Sequence, residues 1–278
     1  MANAQPIRAS IVIPTRDKMS HLEIVLEALT PQMRDEVELI LIFDGCTRET
    51  LTAFDRLRLG YAPQVIIAEQ NVGRAAARNL GIQRARGEVV IFCDDDVIPC
   101  PDFVDRHVAG HDRPCVLQGE VRYLEYTAAE IAQLGRTRAA DLDFDALERD
   151  AVRKGIAALR RLYRPIWDRV LKPISFLTTN VSVEREDLLR VGMFDEHFKG
   201  WGYEDIDLGY RLGAAGIPFR RDGRVVNYHV NHPVNRRAKT QEARVTLDYF
   251  LKKIEGDGLA RVALVSYFRM ATLLGKFQ

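Results

Sequence analysis

Apolar residues in the first third of this chain come in short runs separated by amphipathic stretches. Ser10 to Pro14 is followed by Leu22 to Leu29, Glu38 to Phe43 by Leu51 to Leu59, and Val65 to Ala68 by Ala75 to Ala85; Glu88 to Cys93 closes the series. The short runs read as strands and the amphipathic stretches as helices. This βαβ rhythm predicts an α/β fold with a mostly parallel sheet flanked by helices. Gly87 and the Asp44-Gly45 pair punctuate strand ends, and Pro14 stops the first strand where a ligand loop would begin. The catalytic face is therefore expected at the carboxyl ends of the strands.

Further along, the pattern changes. Tyr123 to Pro173 is charged and Ala-rich, with Asp141-Leu142-Asp143-Phe144-Asp145 as a helix start ahead of Ala146 to Tyr163, and it reads as a helical insert. Between Arg149 and Lys172, eight basic residues stand against two acidic ones. Such a run suits a solvated helix face, an anionic acceptor or a membrane surface. Lys239 to Phe250 and Leu259 to Leu274 are again helical in pattern, with an apolar side that would pack on the core, a partner subunit or a lipid interface. The expected division is a domain over residues 1–232, with its insert at about 123–173, and a C-terminal helical extension over 233–278. A peripheral membrane contact and a homodimer both stay open.

Composition removes some partners. The 278 residues carry 40 basic and 39 acidic side chains, a formal net charge of +1, so no global field argues for nucleic acid. Met1 to Ser10 is polar, and no segment offers the roughly 20 apolar residues of a membrane span. A soluble, cytoplasmic protein is the expectation. Cys46, Cys93, Cys100 and Cys115 form no Cys-x-x-Cys pair, so reduced thiols are expected and any metal should be held by oxygen and imidazole.

Two acidic clusters carry the candidate chemistry. Val89-Val90-Ile91-Phe92-Cys93 runs into Asp94-Asp95-Asp96, and Gly200-Trp201-Gly202-Tyr203 runs into Glu204-Asp205. Pro99 and Pro101 make a simple turn with a helix cap one reading of the first cluster. Three adjacent carboxylates repel one another, however, and a magnesium or manganese ion would hold them charged together. Alternate residues of an extended segment share a side, so Asp94 and Asp96 can act as a pair.

Four segments together resemble a family. They are Ser10-Ile11-Val12-Ile13-Pro14-Thr15-Arg16, then Asn71-Val72-Gly73-Arg74-Ala75-Ala76-Ala77-Arg78-Asn79-Leu80-Gly81, then the Asp94-Asp95-Asp96 cluster, and last Thr179-Asn180-Val181-Ser182-Val183 leading to Gly200-Trp201-Gly202-Tyr203-Glu204-Asp205. In order and spacing the chain resembles the GT-A glycosyltransferases of family 2, the inverting nucleotide-sugar transferases. Its second half is similar to the β-1,4-galactosyltransferase and chondroitin polymerase groups. The resemblance covers roughly Ser10 to Pro233.

The resemblance implies a GT-A, Rossmann-like sheet and a metal-dependent transfer of sugar from a nucleotide donor, most simply a UDP-sugar, to a carbohydrate or other hydroxyl acceptor. Asp94 and Asp96 become the Asp-x-Asp pair and, with one histidine, the expected metal ligands, with Asp96 on manganese or magnesium and Asp94 on the metal or nearer the ribose or the metal-bound phosphate. His229 is expected as the single imidazole ligand, with His232 as its alternative. Asp205 matches the catalytic base and Glu204 a neighbour that hydrogen-bonds a sugar. Pro14, Thr15, Arg16 and Asp44 would line the nucleotide pocket, and Asp95 and Asn180 fall in matching segments. Arg74 and Arg78, four apart on one helix face, and Asn79 are further candidates for the nucleotide, although surface arginines and a turn aspartate at 44 read as easily from the residues alone. Trp201 offers a flat face to a sugar, and Gly202 beside it permits close approach or lid motion. Arg236, Arg237 and Lys239 could close on the diphosphate or lie in a solvated loop.

Some features depart from the family. Gln241-Glu242-Ala243-Arg244-Val245 is only a near match to the Gln-x-x-Arg-Trp of processive members, and Met193 stands where Gly is frequent. Two other readings compete: a catalytically silent nucleotide-sugar-binding scaffold, and a sugar-1-phosphate nucleotidylyltransferase, for which Ile13-Pro14-Thr15-Arg16-Asp17 lacks a Gly-rich phosphate loop.

Overall fold

The computed structural model describes residues 6–152, 172–173, 176–232 and 236–273. The alternating rhythm becomes β1 (Ala9–Thr15), α1 (Met19–Leu29), β2 (Val37–Asp44), α2 (Arg48–Asp55), β3 (Gln64–Ala68), α3 (Arg74–Arg84) and β4 (Val89–Phe92). Helix α2 starts and stops earlier than the apolar spacing predicts. Thr47 caps its amino end, itself held by the Asp17 carboxylate, and Leu57 and Leu59 pack on the core from a loop whose carbonyls the Arg58 guanidinium gathers.

The remaining strands are β5 (Val97–Pro99), β6 (Val116–Leu124), β7 (Val181–Glu184) and β8 (Phe219–Val230). One eight-stranded sheet results, in the order β3-β2-β1-β4-β7-β6-β8-β5. Pairings from β3 across to β4 are parallel, as is β6 with β8, while β7 runs against both its neighbours and β5 against β8. From β1 the chain builds β2 and β3 on one side and then returns to place β4 on the other. Such a reversal leaves a crevice at the carboxyl ends of the central strands, where open α/β sheets take ligands.

The central strands β1, β2 and β4 are covered on both faces, which is why they read as apolar runs. Ile11 and Ile13 point with Phe43 toward Leu22, Leu26 and Phe103, and Val12 and Phe92 point the other way, toward Ala77, Ile82 and Leu208. Gly81 lets α3 lie against the sheet: a Cβ there would stand 2.4 Å from a Val12 methyl carbon. The core also holds a polar link, in which the Ser182 hydroxyl lies 2.8 Å from His107 Nδ1 and 2.7 Å from His111 Nε2, and His111 Nδ1 lies 2.7 Å from Glu184. It ties α4 (Phe103–Gly110) to β7. Burial pushes His107 down to about 3, and both His107 and Ser182 are closed to solvent, so the link is a structural one.

Among the described residues the insert holds two short helices. Strand β6 runs through Leu124, and then come α5 (Ala128–Leu134), with a Thr127–Glu130 capping box, and α6 (Phe144–Asp150), capped by Asp143. The helix start at Asp143 is where the residues place it, but the helix ends at Asp150 because Val152 exchanges backbone hydrogen bonds with Tyr123 at 2.8 and 3.1 Å. Residues 153–171, with most of the basic run and the rest of the helix expected to Tyr163, lie outside the described residues. Farther on, α7 (Arg185–Arg190) ends in a turn in which Met193 itself adopts a left-handed φ of 57°, the conformation for which glycine is favoured.

Helix α8 (Glu204–Ala214) is followed, after β8, by α9 (Arg236–Lys253) and α10 (Gly258–Leu273). The last two pack beside α8 through Phe250, Ile254 and Leu264 around Tyr203, and Lys253 spans Asp195 at 2.6 Å and Asp207 at 2.7 Å. Among the described residues no helix is long and apolar enough to cross a membrane. All four cysteines are free thiols.

Candidate active site

The crevice at the carboxyl ends of β1, β2 and β4 gathers most of the expected residues. Asp94, Asp95 and Asp96 carry the chain from β4 into β5, which pairs with β8 so that Val97 lies opposite His229. The Val230 amide donates to the Asp96 carbonyl at 2.9 Å. That short ladder is what brings a strand-end aspartate and two distant histidines together. Asp96 Oδ1 stands 3.7 Å from His229 Nε2, and Oδ2 stands 3.2 Å from His232 Nε2; one ligand atom from each of the three residues lies within 4.8 Å of the others.

This donor set differs from the one expected. Both histidines face Asp96, whereas Asp94 turns aside to accept from Arg78 Nη2 at 3.0 Å. One carboxylate and two imidazoles are a donor set that could hold a divalent metal ion. A second sign of cation affinity is internal: the Lys18 ammonium, unforeseen from sequence, sits 2.6 Å from Asp96 Oδ2, 3.3 Å from His232 Nε2 and 3.4 Å from Asp95 Oδ1. Burial opposes the charge on Asp96, but the His232 hydrogen bond and the charge and hydrogen bond of Lys18 work against it, and the carboxyl is held well below its usual range. Burial lowers His229, which favours the neutral imidazole that a metal requires.

The neighbouring carboxyl behaves differently. Burial pushes Asp95 up to about 6 against the pull of Lys18, while its Oδ2 accepts from the Thr15 hydroxyl at 2.7 Å. Asp95 is thereby bound into the floor of the crevice. Asp44 closes β2 and is also committed, accepting from the Val72 amide at 2.6 Å and the Gly73 amide at 3.2 Å, which shapes the loop into α3. Pro14 and Thr15 line the same edge, whereas Arg16 and Arg74 are exposed at its rim.

Arg78 is the bridge between the two acidic clusters. Only 3% exposed, it donates to Asp94 and, at 3.1 Å, to Glu204 Oε1. Arg78 Nε and Glu204 Oε2 are buried with no hydrogen-bond partner, polar capacity that a bound ligand would use. Two other candidates turn inward. Asn79 exchanges hydrogen bonds with the Phe194 backbone at 2.9 Å, and Asn180 donates to the Glu120 and Val225 carbonyls, so both hold loops together and neither faces the crevice as a free side chain.

On the Glu204 side of Arg78, Tyr203 turns with a φ of 71° and opens α8, placing Glu204, Asp205 and Asp207 in its first turn. Anionic groups belong at such a terminus. Burial, reinforced by Glu204 and moderated by Arg78, nevertheless pushes Asp205 up to about 7. A carboxyl poised near neutrality has the proton affinity of a general base. Trp201 and Gly202, with Gly202 at a φ of 95°, form the loop just before it, and Lys239 Nζ lies 4.7 Å above the Trp201 ring. Arg237 is exposed, and the Arg236 side chain lies outside the described residues.

Comparison with known proteins bears on the family and the fold. The model described as glycosyl transferase family 2 matches residues 10–159, and one described as the N-terminal domain of galactosyltransferase matches residues 166–233. An uncharacterized glycosyltransferase of Bacillus subtilis, YfnE, is 26% identical over 89% of this chain and 70% of its own length. Validoxylamine A glucosyltransferase of Streptomyces hygroscopicus subsp. jinggangensis is 29% identical over 88% of this chain and 60% of its own. Among solved structures, S. aureus TarS superposes with a TM-score of 0.61 at 17% identity, covering 92% of this chain and 41% of that one. GalNAc-T7, solved with UDP, GalNAc and Mn2+, gives 0.58 at 18% identity, covering 96% and 54%. At such identities these two structures speak for the fold.

Proposed function

Because the chain belongs to glycosyl transferase family 2, we propose that it moves a sugar from a UDP-sugar to an acceptor hydroxyl by single displacement with inversion, assisted by a divalent cation. The observation that carries this reading is the division of the crevice. Asp96, His229 and His232 converge on one point, and Asp205 stands in the first turn of α8 beside Glu204, which Arg78 ties to Asp94 of the first cluster. Support for UDP and manganese comes from the solved GalNAc-T7, whose fold this chain shares.

Each residue has a definite task in this scheme. Asp96, His229 and His232 would hold the cation, which when bound supplies Lewis-acid stabilisation to the departing diphosphate. Asp205 accepts the proton of the attacking hydroxyl, at a carboxylate oxygen that is half ionised near pH 7. Glu204 Oε2 accepts a hydrogen bond from a sugar hydroxyl, completing the contact it lacks. Arg78 fixes Glu204 and Asp94 in place, so the two halves of the crevice keep one spacing. Trp201 gives the acceptor an apolar face against which its C–H groups pack.

Calorimetric titration with UDP, GDP and ADP, each with and without manganese, tests the reading. UDP is expected to bind at least about tenfold more tightly with manganese than without it, and more tightly than GDP or ADP. Absence of manganese-dependent binding by all three would overturn it.

A further inference from the structure

We infer that helix α9, which lies beyond both matched family regions, is part of the acceptor side of the site, and that Glu242 is the positioning residue by which it sets Trp201. Both family matches end at or before residue 233, whereas α9 begins at Arg236. Yet three residues of α9 at helical spacing, Lys239, Glu242 and Thr246, converge on Trp201. The Lys239 ammonium lies 4.7 Å over the indole ring, the Trp201 amide donates to Glu242 Oε2 at 2.8 Å, and the Thr246 hydroxyl lies 3.2 Å from the Trp201 carbonyl. Ring, amide and carbonyl of one residue are thus all addressed by one helix face.

The preceding residue shows how close the approach is. A Cβ on Gly200 would stand 3.1 Å from Glu242 Cβ, so the loop and the helix meet there with little space for a side chain. On the other side of Trp201, Gly202 takes a left-handed φ that is open to glycine, and Tyr203 stacks toward Phe250 with ring centroids 6.4 Å apart. The Gly200–Tyr203 loop leads directly into Glu204 and Asp205. Left to itself, a loop with glycines on both sides of its tryptophan would sample many conformations. The hydrogen bond that the Trp201 amide donates to the Glu242 side chain selects one of them, and with it the distance between the indole and Asp205. The ligand positioned in this way is the acceptor sugar, so the inference rests on the transferase reading above.

Glu242 is exposed, so its removal leaves the core intact. Trp167 and Trp201 are the only tryptophans, and in a Trp167→Phe background the emission reports Trp201 alone. Glu242→Ala is expected to raise acrylamide quenching of that emission about twofold, and Glu242→Gln, which keeps an acceptor oxygen, to leave it unchanged. The second readout is UDP release from a UDP-hexose with manganese, with water as the only acceptor and then with free glucose or N-acetylglucosamine. Glu242→Ala should raise the KM for the added sugar about tenfold while the rate into water stays within about twofold, and Glu242→Gln should restore the KM. Unaltered quenching with an unaltered sugar KM in Glu242→Ala would overturn the inference, as would equal loss in Glu242→Gln. If the wild-type chain releases no UDP from any donor, the transferase reading fails and the quenching comparison alone decides the clamp.

Discussion

Asp205→Asn is expected to lower sugar transfer by more than about a hundredfold at pH 8 while leaving manganese-dependent UDP binding intact. Asparagine has the size of the carboxylate and keeps an oxygen for the Ile206 amide, which now donates to Asp205 at 2.8 Å. Only the capacity to take a proton is lost. In the wild-type protein kcat/KM should climb from pH 6 to pH 8 with an inflection near the raised value of about 7. Stability should move the opposite way. A carboxyl whose pKa is raised on folding contributes most below its unfolded value of 3.8, and that contribution is lost as the pH rises through about 7. The substitution removes this loss, so the variant should melt a few degrees above the wild type at pH 8. Residual turnover above about a tenth of wild type would remove Asp205 from the role of base.

The parts of this molecule that were legible in its sequence are those that depend on local pattern. Ser10 to Pro14 and Glu38 to Phe43 announce strands because strands covered on both faces need apolar runs, and Val65 to Ala68 does so at the sheet edge, where Val65 and Ile67 stay exposed; all three are strands. The two acidic clusters announce themselves because carboxylates at a strand end and at a helix start are costly to cluster without a purpose. Less legible was whatever the tertiary arrangement decides. Asn79 and Asn180 sit in motif segments, yet their amides satisfy buried backbone groups of Phe194, Glu120 and Val225. Nothing in the order of residues shows that an amide will face inward.

The same limit hid Lys18. One residue beyond the left-handed turn at Asp17, it reads as an ordinary loop lysine until the fold aims its ammonium at Asp96. His232 could be paired with His229 only through the β5–β8 ladder, which sets Val97 opposite His229 and leaves the chain to curl back over Asp96. The end of α6 was hidden for a different reason: Ala-rich composition predicts continued helix, but a pair of backbone hydrogen bonds between Val152 and Tyr123 outweighs that weak preference and ends α6 at Asp150.

Removing the Asp96 carboxylate should have the second large effect. Asp96→Ala is expected to abolish manganese-dependent UDP binding, since the carboxylate is the only anionic member of the three-residue set and the imidazoles of His229 and His232 would then lack a partner that orients them. Lys18 supplies the opposite test. Its ammonium shares the Asp96 and His232 atoms that would bind the ion, so in the absence of nucleotide it competes with manganese for the same charge. Lys18→Gln should therefore bind manganese alone at least about tenfold more tightly than the wild type, as read by the loss of the free-ion EPR signal. When UDP is present the gap should narrow, because the ammonium can turn from the carboxylates to the diphosphate on its flexible stem. Tighter manganese binding in Lys18→Gln together with its loss in Asp96→Ala would place the ion among these residues. Equal binding by wild type and Asp96→Ala would take the ion elsewhere, and unchanged affinity in Lys18→Gln would mean that the ammonium leaves the carboxylates at no cost.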